Sequence, residues 1–448
     1  MPRPTFHSLT FLLILGLLIP ATGCRLEQAG VCEGCNVVLV SLDTLRADHT
    51  GAYGYGLPTT PHLDLFAQEA VLFEDAVSQS AWTRPAHTSM FTGLYPAEHG
   101  VISMGGNAKV PGDLPTLAER MREGGYATAA FTGGANMSAR FGFDRGFDLY
   151  KSPGKRMGEG VKPALDWVDS LPAGKPFFLF VHGFEPHRPY RSKARDRLAL
   201  GLDSPRRKGW SSVCESGVRP PDLDRWILEY DAAIHRGDRA FGRLLAGLSE
   251  RGLGDDTIVM FTSDHGEEFF EHGHCFHLYR LYREILRVPL LVRVPGVEPS
   301  RVAGVVPASV AVASTLLDLV GLGGAGFSGE SLARLITGVE KPAFEYVVSE
   351  TGSSRVSGSS GRKGGDVRAI SGDRDKLVHW MDQRRREYYD LSSDPGEQDD
   401  LGRSAEADRL FERLQYWIAD HPRRGTQAAI EELDPQLKQE LRQLGYLE

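Results

Sequence analysis

Several signatures are missing from this sequence, and each absence removes a class of function. There is no His-Glu-x-x-His helix, no Gly-x-Ser-x-Gly elbow and no Walker loop, so zincin, serine-hydrolase and P-loop chemistries drop out. No basic stripe with interleaved aromatics occurs and the formal net charge is -8, so no nucleic-acid partner is expected. Cysteine is scarce, with five in 448 residues. Cys32-x-x-Cys35 lacks the second pair or thioredoxin-like unit that a zinc or redox role would need, so a local disulfide or two idle thiols is expected. Cys214 and Cys275 could form another pair. No internal repeat is found. What remains is ordinary for a soluble globular protein, with 41% hydrophobic and 25% charged residues. The 51 glycines suit a loop-rich enzyme better than a helical bundle. The length allows one large domain plus a smaller one.

The apolar run from Leu9 to Pro20 falls short of the roughly 18 residues of a membrane-spanning helix. It follows Arg3 and precedes Ala21-Thr22-Gly23-Cys24. That order reads as a signal peptide over 1–23. A cysteine directly after small residues resembles a bacterial lipobox, with Cys24 lipidated. The expectation is an exported bacterial lipoprotein, periplasmic or outer-membrane anchored, held to the membrane by a lipid on Cys24. An ordinary signal peptide that contains a cysteine is the plainer alternative. Export implies an oxidising compartment.

Asn36 to Leu42 is a continuous apolar run that fits a strand buried on both faces, as in a parallel sheet. Thr116 to Glu119 reads as a capping box that opens a helix ended by Gly124-Gly125. Strands follow at Ala127 to Phe131, Phe177 to Val181, Thr257 to Phe261 and Val288 to Val294. Apolar residues at helical spacing run from Arg225 to Arg251, and Gly252 ends that helix. This alternation predicts an α/β domain, a large, mixed, mostly parallel sheet flanked by helices, over 36–340. Residues 24–35 read as a linker. After about 340 the character changes to a small C-terminal α+β subdomain (341–425) and a helical tail (426–448). Gly352 to Gly365 is a Ser/Gly/basic surface loop. Val367 to Trp380 and Glu387 to Leu391 read as strands, and Ser404 as an N-cap.

Four segments carry candidate chemistry. Asp43 stands where the first strand stops, as a metal or phosphate-site ligand or as a cap. Thr83 lies two residues before Pro85, at the start of a helix. It is either an N-cap or a nucleophile in the positive field of that helix. A hydroxyl is a poor nucleophile until a base or a metal lowers its pKa, so the motif predicts metal ligands elsewhere. Asp264 and His265 follow another strand, with Gly266 permitting the turn. Together with Asp43 and Thr83 they supply mixed oxygen and nitrogen ligation, which favours zinc or manganese over calcium. His187, between two prolines, is a candidate for binding the ester oxygens or protonating the leaving group. His272, His274 and His277 crowd the stretch after His265, and one of them is expected to reach the site.

Together these segments resemble the sulfatase family of the alkaline-phosphatase superfamily. Asn-Val-Val-Leu-Val-Ser-Leu-Asp-Thr-Leu-Arg-Ala-Asp, ending at Asp48, is similar to the family's first strand and metal aspartate. Thr83 to Pro96 occupies its signature segment, and Phe177 to Tyr190 its histidine turn. Thr262 to Glu268 and Leu286 to Gly296 match its second metal segment and the strand after it. Tyr388 to Leu401 resembles its C-terminal subdomain. The resemblance implies a metal-dependent hydrolase of small or glycan sulfate or phosphate esters. In it Thr83, His87, His187 and His277 are catalytic, and Arg84, His182 and His274 bind substrate. Asp43, Thr83, Asp264 and His265 hold one divalent ion, Zn or Mn by preference with Ca allowed.

Departures fall on that site. Sulfatases carry Cys or Ser where Thr83 stands and convert it to formylglycine. Threonine would give a ketone, so formylglycine is not expected. His87 replaces the signature's arginine and Thr44 one of the paired aspartates. The family's lysine-bearing turn has become Phe131 to Asn136. These changes resemble the superfamily's phosphodiesterases and phosphoglycan transferases, which favours phosphoester hydrolysis or transfer. Glu185, His187 and His277 are candidates for part of a second metal set. The alternative is a non-catalytic, glycan-binding lipoprotein on a sulfatase fold, with Thr83 only a helix cap.

Overall fold

The computed structural model describes Met1 and residues 31–102, 108–190, 192–202, 218–277, 279–324, 326–340, 344–352, 366–425 and 433–444. The signal-peptide segment, Cys24, Cys214 and nearly all of the Ser/Gly/basic loop lie outside them. Among the described residues no helix is long and apolar enough to cross a membrane.

The main sheet contains β1 (Asn36–Leu42), β2 (Val71–Val77), β3 (Ala127–Phe131), β4 (Leu149–Lys151), β5 (Phe177–Gly183) and β6 (Thr257–Thr262). A short ribbon, β7 (Glu268–Phe269) with β8 (Cys275–Phe276), stands apart from it. Next come β9 (Arg287–Val288), β10 (Leu290–Arg293) and β11 (Ser300–Pro307). The order is β11-β2-β10-β6-β1-β5-β3-β4, with β9 on β2. The central pairs β6-β1-β5-β3 are parallel, and β10 enters antiparallel between β6 and β2. The sheet is therefore mixed and mostly parallel; its parallel centre agrees with the apolar runs, and its mixed character with the family resemblance.

Period-two alternation divides each central strand between two cores. Val37 and Leu39 of β1, Phe178 and Phe180 of β5, and Ile258 and Met260 of β6 pack on one face. Val38, Val40, Leu179, Val181, Val259 and Phe261 pack on the other. The expected single strand from Val288 to Val294 is broken at Pro289, which has no N–H for the ladder. The long helix spans Leu223–Glu250 and lies against the second core.

The C-terminal sheet is antiparallel, in the order β12 (Val347–Thr351), β13 (Val367–Ser371), β14 (Asp375–Trp380) and β15 (Arg385–Asp390). Helix Ala405–Asp420 begins at the expected cap, Ser404, whose Oγ accepts the Ala407 N–H, and packs on this sheet. A shared apolar cluster around Val77, Ile285, Val347 and Val367 joins this layer to the main sheet. Cys32 and Cys35 form a disulfide with Cα atoms 5.5 Å apart, and Cys275 is also disulfide-bonded.

Candidate active site

β1, β5 and β6 are neighbours and run parallel, so the residues after them converge on one end of the sheet. Ser41 pairs with His182 on one side and Thr262 on the other. Asp43 and Ser263-Asp264-His265 follow immediately. The chain bends after β1 at Thr44, whose φ of 59° is left-handed. For a β-branched residue that costs roughly 1–3 kcal/mol. It is held by the Thr44 N–H donating to Asp264 Oδ1 (3.1 Å) and the Tyr230 hydroxyl donating to the Thr44 carbonyl (2.7 Å). Gly266 is required for space: a Cβ there would lie 2.1 Å from the Glu284 carbonyl oxygen.

Ligand atoms of Asp43, Asp264 and His265 lie within 4.8 Å of one another, and all three residues are fully buried. Asp43 Oδ1, Asp264 Oδ2 and His265 Nε2 have no hydrogen-bond partner. His265 Nδ1 faces the Gly266 carbonyl at 2.9 Å and donates to it, which leaves the Nε2 lone pair available. Each unmet buried polar atom costs about 1–3 kcal/mol, and more when charged. Convergence of three such atoms fits a divalent cation, and the oxygen-nitrogen donor set fits zinc or manganese. Burial pushes the Asp43 carboxyl up, and the neighbouring Asp264 adds to it. Burial also opposes ionisation of Asp264, but the imidazoles of His265, His87 and His182 outweigh it and hold that carboxyl low.

Thr83 is the first residue of helix Thr83–Thr92, whose N-cap is Trp82. The Thr83 hydroxyl donates to Asp43 Oδ2 at 3.2 Å, so its oxygen joins the cluster. His87, one turn on, donates from Nδ1 to the Thr83 carbonyl (2.9 Å) and accepts the Ser41 hydroxyl at Nε2 (3.0 Å). Burial holds its pKa low. It joins the Thr83 helix to β1, and its Nδ1 lies 3.6 Å from Asp264 Oδ2.

His182 Nδ1 accepts the Gly133 N–H (3.3 Å), which puts its proton on Nε2. That buried nitrogen has no partner and lies 3.5 Å from Asp43 Oδ2. It is a donor available to an anion. Of the three downstream histidines, His277 reaches the site, its ring centroid 4.3 Å from that of His265 and 5.0 Å from that of His187. Burial holds His277 neutral and pushes His187 down to about 3. His274 is exposed, and His272 lies between Glu284 and the Glu397 carbonyl. Arg84 donates to the Ala108 carbonyl and lies over the Phe141 ring. Glu185 accepts the N–H groups of Met157 and Gly158. Its carboxylate therefore caps helix Met157–Asp169 and is not offered to a second metal.

Sequence reasoning missed Glu267. It is fully buried, with Oε1 2.9 Å from His277 Nδ1, and Oε2 accepts the Tyr190 hydroxyl (3.2 Å). Burial pushes its pKa up to about 8, against the pull of the Arg188 guanidinium. Its one sequence signal is position, two residues past His265.

Comparison with known proteins identifies the family and the fold. The sulfatase family model matches residues 35–322, and the model for the N-sulphoglucosamine sulphohydrolase C-terminal region matches 271–423. The Delta 4,5-hexuronate-2-O-sulfatase of Bacteroides thetaiotaomicron is 24% identical over 434 residues, covering 87% of this chain and 89% of its own. The iduronate 2-sulfatase of Mus musculus is 25% identical over 364 residues, 66% of each chain, so just under two thirds of that protein is spanned. Among solved structures, a protein in complex with its substrate D-glucosamine-2-N,6-O-disulfate superposes with a TM-score of 0.73 at 19% identity, over 86% of this chain and 98% of its own. The phosphonate monoester hydrolase of Agrobacterium radiobacter gives 0.71 at 21% identity, over 90% and 98%.

Proposed function

Because this chain belongs to the sulfatase family, we propose that it hydrolyses sulfate or phosphate esters at the Asp43–Thr83–Asp264–His265 cluster, with Thr83 as nucleophile. The observation that carries the reading is the Thr83 hydroxyl donating to Asp43 Oδ2 at 3.2 Å beside three orphaned ligand atoms. A zinc or manganese ion held by Asp43, Asp264 and His265 would lower the pKa of the Thr83 hydroxyl and offset charge on the ester oxygens. Asp43 Oδ2 takes the hydroxyl proton. Thr83 Oγ1 forms a bond to sulfur or phosphorus as the bond to the alcohol oxygen breaks. His182 Nε2–H donates to a non-bridging oxygen. The departing alkoxide takes a proton from His277 Nε2 while Glu267 passes its own to Nδ1, so the ring stays neutral. Water then attacks sulfur or phosphorus as the bond to Thr83 Oγ1 breaks; Asp43 returns its proton to Oγ1, and His277 Nε2 takes a proton from the water while Nδ1 returns one to Glu267.

The substrate class follows the relatives. Two are named for sulfated uronates, and one structure holds a disulfated glucosamine. A sulfated or phosphorylated sugar is the reading these names support. The departures at Thr83 and His87 favour phosphorus chemically. The test is a panel of sulfate and phosphate mono- and diesters, run on wild type and Thr83→Ala with defined zinc or manganese. Turnover that survives in the mutant removes Thr83 from the mechanism, and turnover of sulfate esters alone removes the preference for phosphorus. Export and a lipid on Cys24 complete the proposal, on the strength of the Leu9–Pro20 run and the small residues before the cysteine. Labelling with radioactive palmitate should mark wild type and not Cys24→Ala.

A further inference from the structure

The state of His182 depends on a turn far from it in sequence. Its proton sits on Nε2 because Nδ1 accepts the Gly133 N–H (3.3 Å). Gly133 is closely packed there. A Cβ on it would lie 2.3 Å from the Phe184 ring, which stands at right angles to the His182 ring with centroids 4.6 Å apart. The next two residues are left-handed, Gly134 with a φ of 68° and Ala135 with a φ of 50°. Glycine adopts that region freely, whereas alanine does so only when its surroundings hold it. Ala135 is fully buried, so its N–H also needs an acceptor.

That acceptor comes from the other end of the chain. Glu440 Oε2 takes the Ala135 N–H at 3.1 Å. Glu440 stands in helix Pro435–Gln443, beyond both matched family regions, which end at 322 and 423. Leu437, Leu441 and Leu444 seat this helix in the main core. Asp434, its N-cap, accepts the Leu437 N–H (2.9 Å) and pairs with Arg140 at 2.8 Å. The Gln436 amide donates to Glu440 Oε1 (3.3 Å), which steadies the carboxylate. Other bonds to the turn come from β4 and the residue just past it. Thr132 Oγ1 meets Ser152 Oγ at 3.0 Å, and the Tyr150 hydroxyl donates to the Met137 carbonyl. They hold the two ends of the turn, and Glu440 holds the strained residue between them.

We propose that Glu440 is a positioning residue for the ester site: by holding the Gly133–Ala135 turn, it keeps the His182 proton on Nε2, where an oxyanion meets it. The C-terminal helix thereby supports the anion-binding side of the site from a distance. The inference rests on reading His182 as the donor to a non-bridging oxygen, and the tautomer can be read without any turnover.

The test uses the full chain, loaded with zinc and labelled with ¹⁵N-histidine. The His182 ring nitrogens are assigned by their loss in His182→Gln, and inorganic phosphate is titrated by calorimetry in parallel. Wild type should show the Nε2–H tautomer, and Glu440→Ala a mixture of the two. The same variant should bind phosphate about fivefold more weakly, the scale of one lost hydrogen bond. Glu440→Gln keeps an oxygen for the Ala135 N–H and should behave as wild type. Ala135→Gly accepts the left-handed turn without help, so Glu440→Ala should have a smaller effect in that background. Asp434→Asn weakens the other end of the same helix and controls for stability. It should lower the melting temperature but leave the tautomer and the phosphate affinity unchanged. A wild-type His182 protonated on Nδ1, or an unchanged tautomer in folded Glu440→Ala, overturns the proposal. So does an equal effect of Asp434→Asn, which would make the helix a source of stability alone. A tautomer that follows Glu440 in a protein that turns over no ester leaves the positioning role standing and removes the hydrolase reading.

Discussion

Two clusters among the described residues offer the same ligand types in opposite states. Asp43, Asp264 and His265 form one, and Glu268, His272 and Glu284 the other; each brings two carboxylates and an imidazole within ligand reach. In the first, Asp43 Oδ1, Asp264 Oδ2 and His265 Nε2 are buried and unmet. In the second, His272 Nδ1 faces Glu284 Oε1 and Nε2 faces the Glu397 carbonyl, both at 2.8 Å. Two acceptors on one ring require two protons, so His272 is an imidazolium, stacked on Tyr282 with centroids 3.6 Å apart. Glu268 accepts the N–H groups of His272 and His274. The second cluster is a closed staple between the histidine loop and the C-terminal subdomain. Ligand type alone does not separate the two clusters; the state of their ligand atoms does.

Four substitutions would break or sharpen that contrast. Thr83→Ala should lower kcat by about 10⁴-fold or more, the scale for losing a nucleophile, with the fold intact by melting curve. Glu267→Gln should lower kcat by about 100-fold, the scale of general acid–base assistance, and a smaller loss on substrates whose leaving groups need no proton would confirm the route. His272→Gln should cost about 1–3 kcal/mol of stability, as for a lost charged hydrogen bond, measured by denaturant unfolding. Burial disfavours the His272 charge, but Glu284 outweighs it and lifts the pKa from 6.5 to about 9. A raised histidine pKa gives stability that is full below the unfolded value and fades as pH rises through the folded one. The gap between wild type and His272→Gln should therefore be widest below pH 6.5 and close by about pH 9. A pH-independent gap would mean that His272 is neutral. Glu185→Gln should cost least, about 0.3–1 kcal/mol for a weakened carboxylate at a helix N-terminus, with metal uptake unchanged.

The sequence made the centre of the fold legible because β1, β3, β5 and β6 are buried on both faces and read as unbroken apolar runs. Asp43, Asp264 and His265 were legible for the same reason: polar residues directly after such runs mark strand ends. β2 and β11 were not, because their partly exposed residues interrupt the apolar signal. The state of each site group was also hidden. Whether a histidine is a ligand, a brace or half of a staple depends on atoms far away in sequence. Ser41 engages His87, Gly133 sets the tautomer of His182, and the Glu397 carbonyl holds His272. Glu267 needed Tyr190 and His277 in place before it had a meaning.

Metal content decides most directly whether the unmet cluster is the functional one. Purified wild type, Asp264→Asn and His272→Gln, each dialysed against limiting zinc or manganese, would be assayed by elemental analysis. The account predicts one ion per chain in wild type and in His272→Gln, and none in Asp264→Asn. An ion retained by Asp264→Asn and lost from His272→Gln would contradict it.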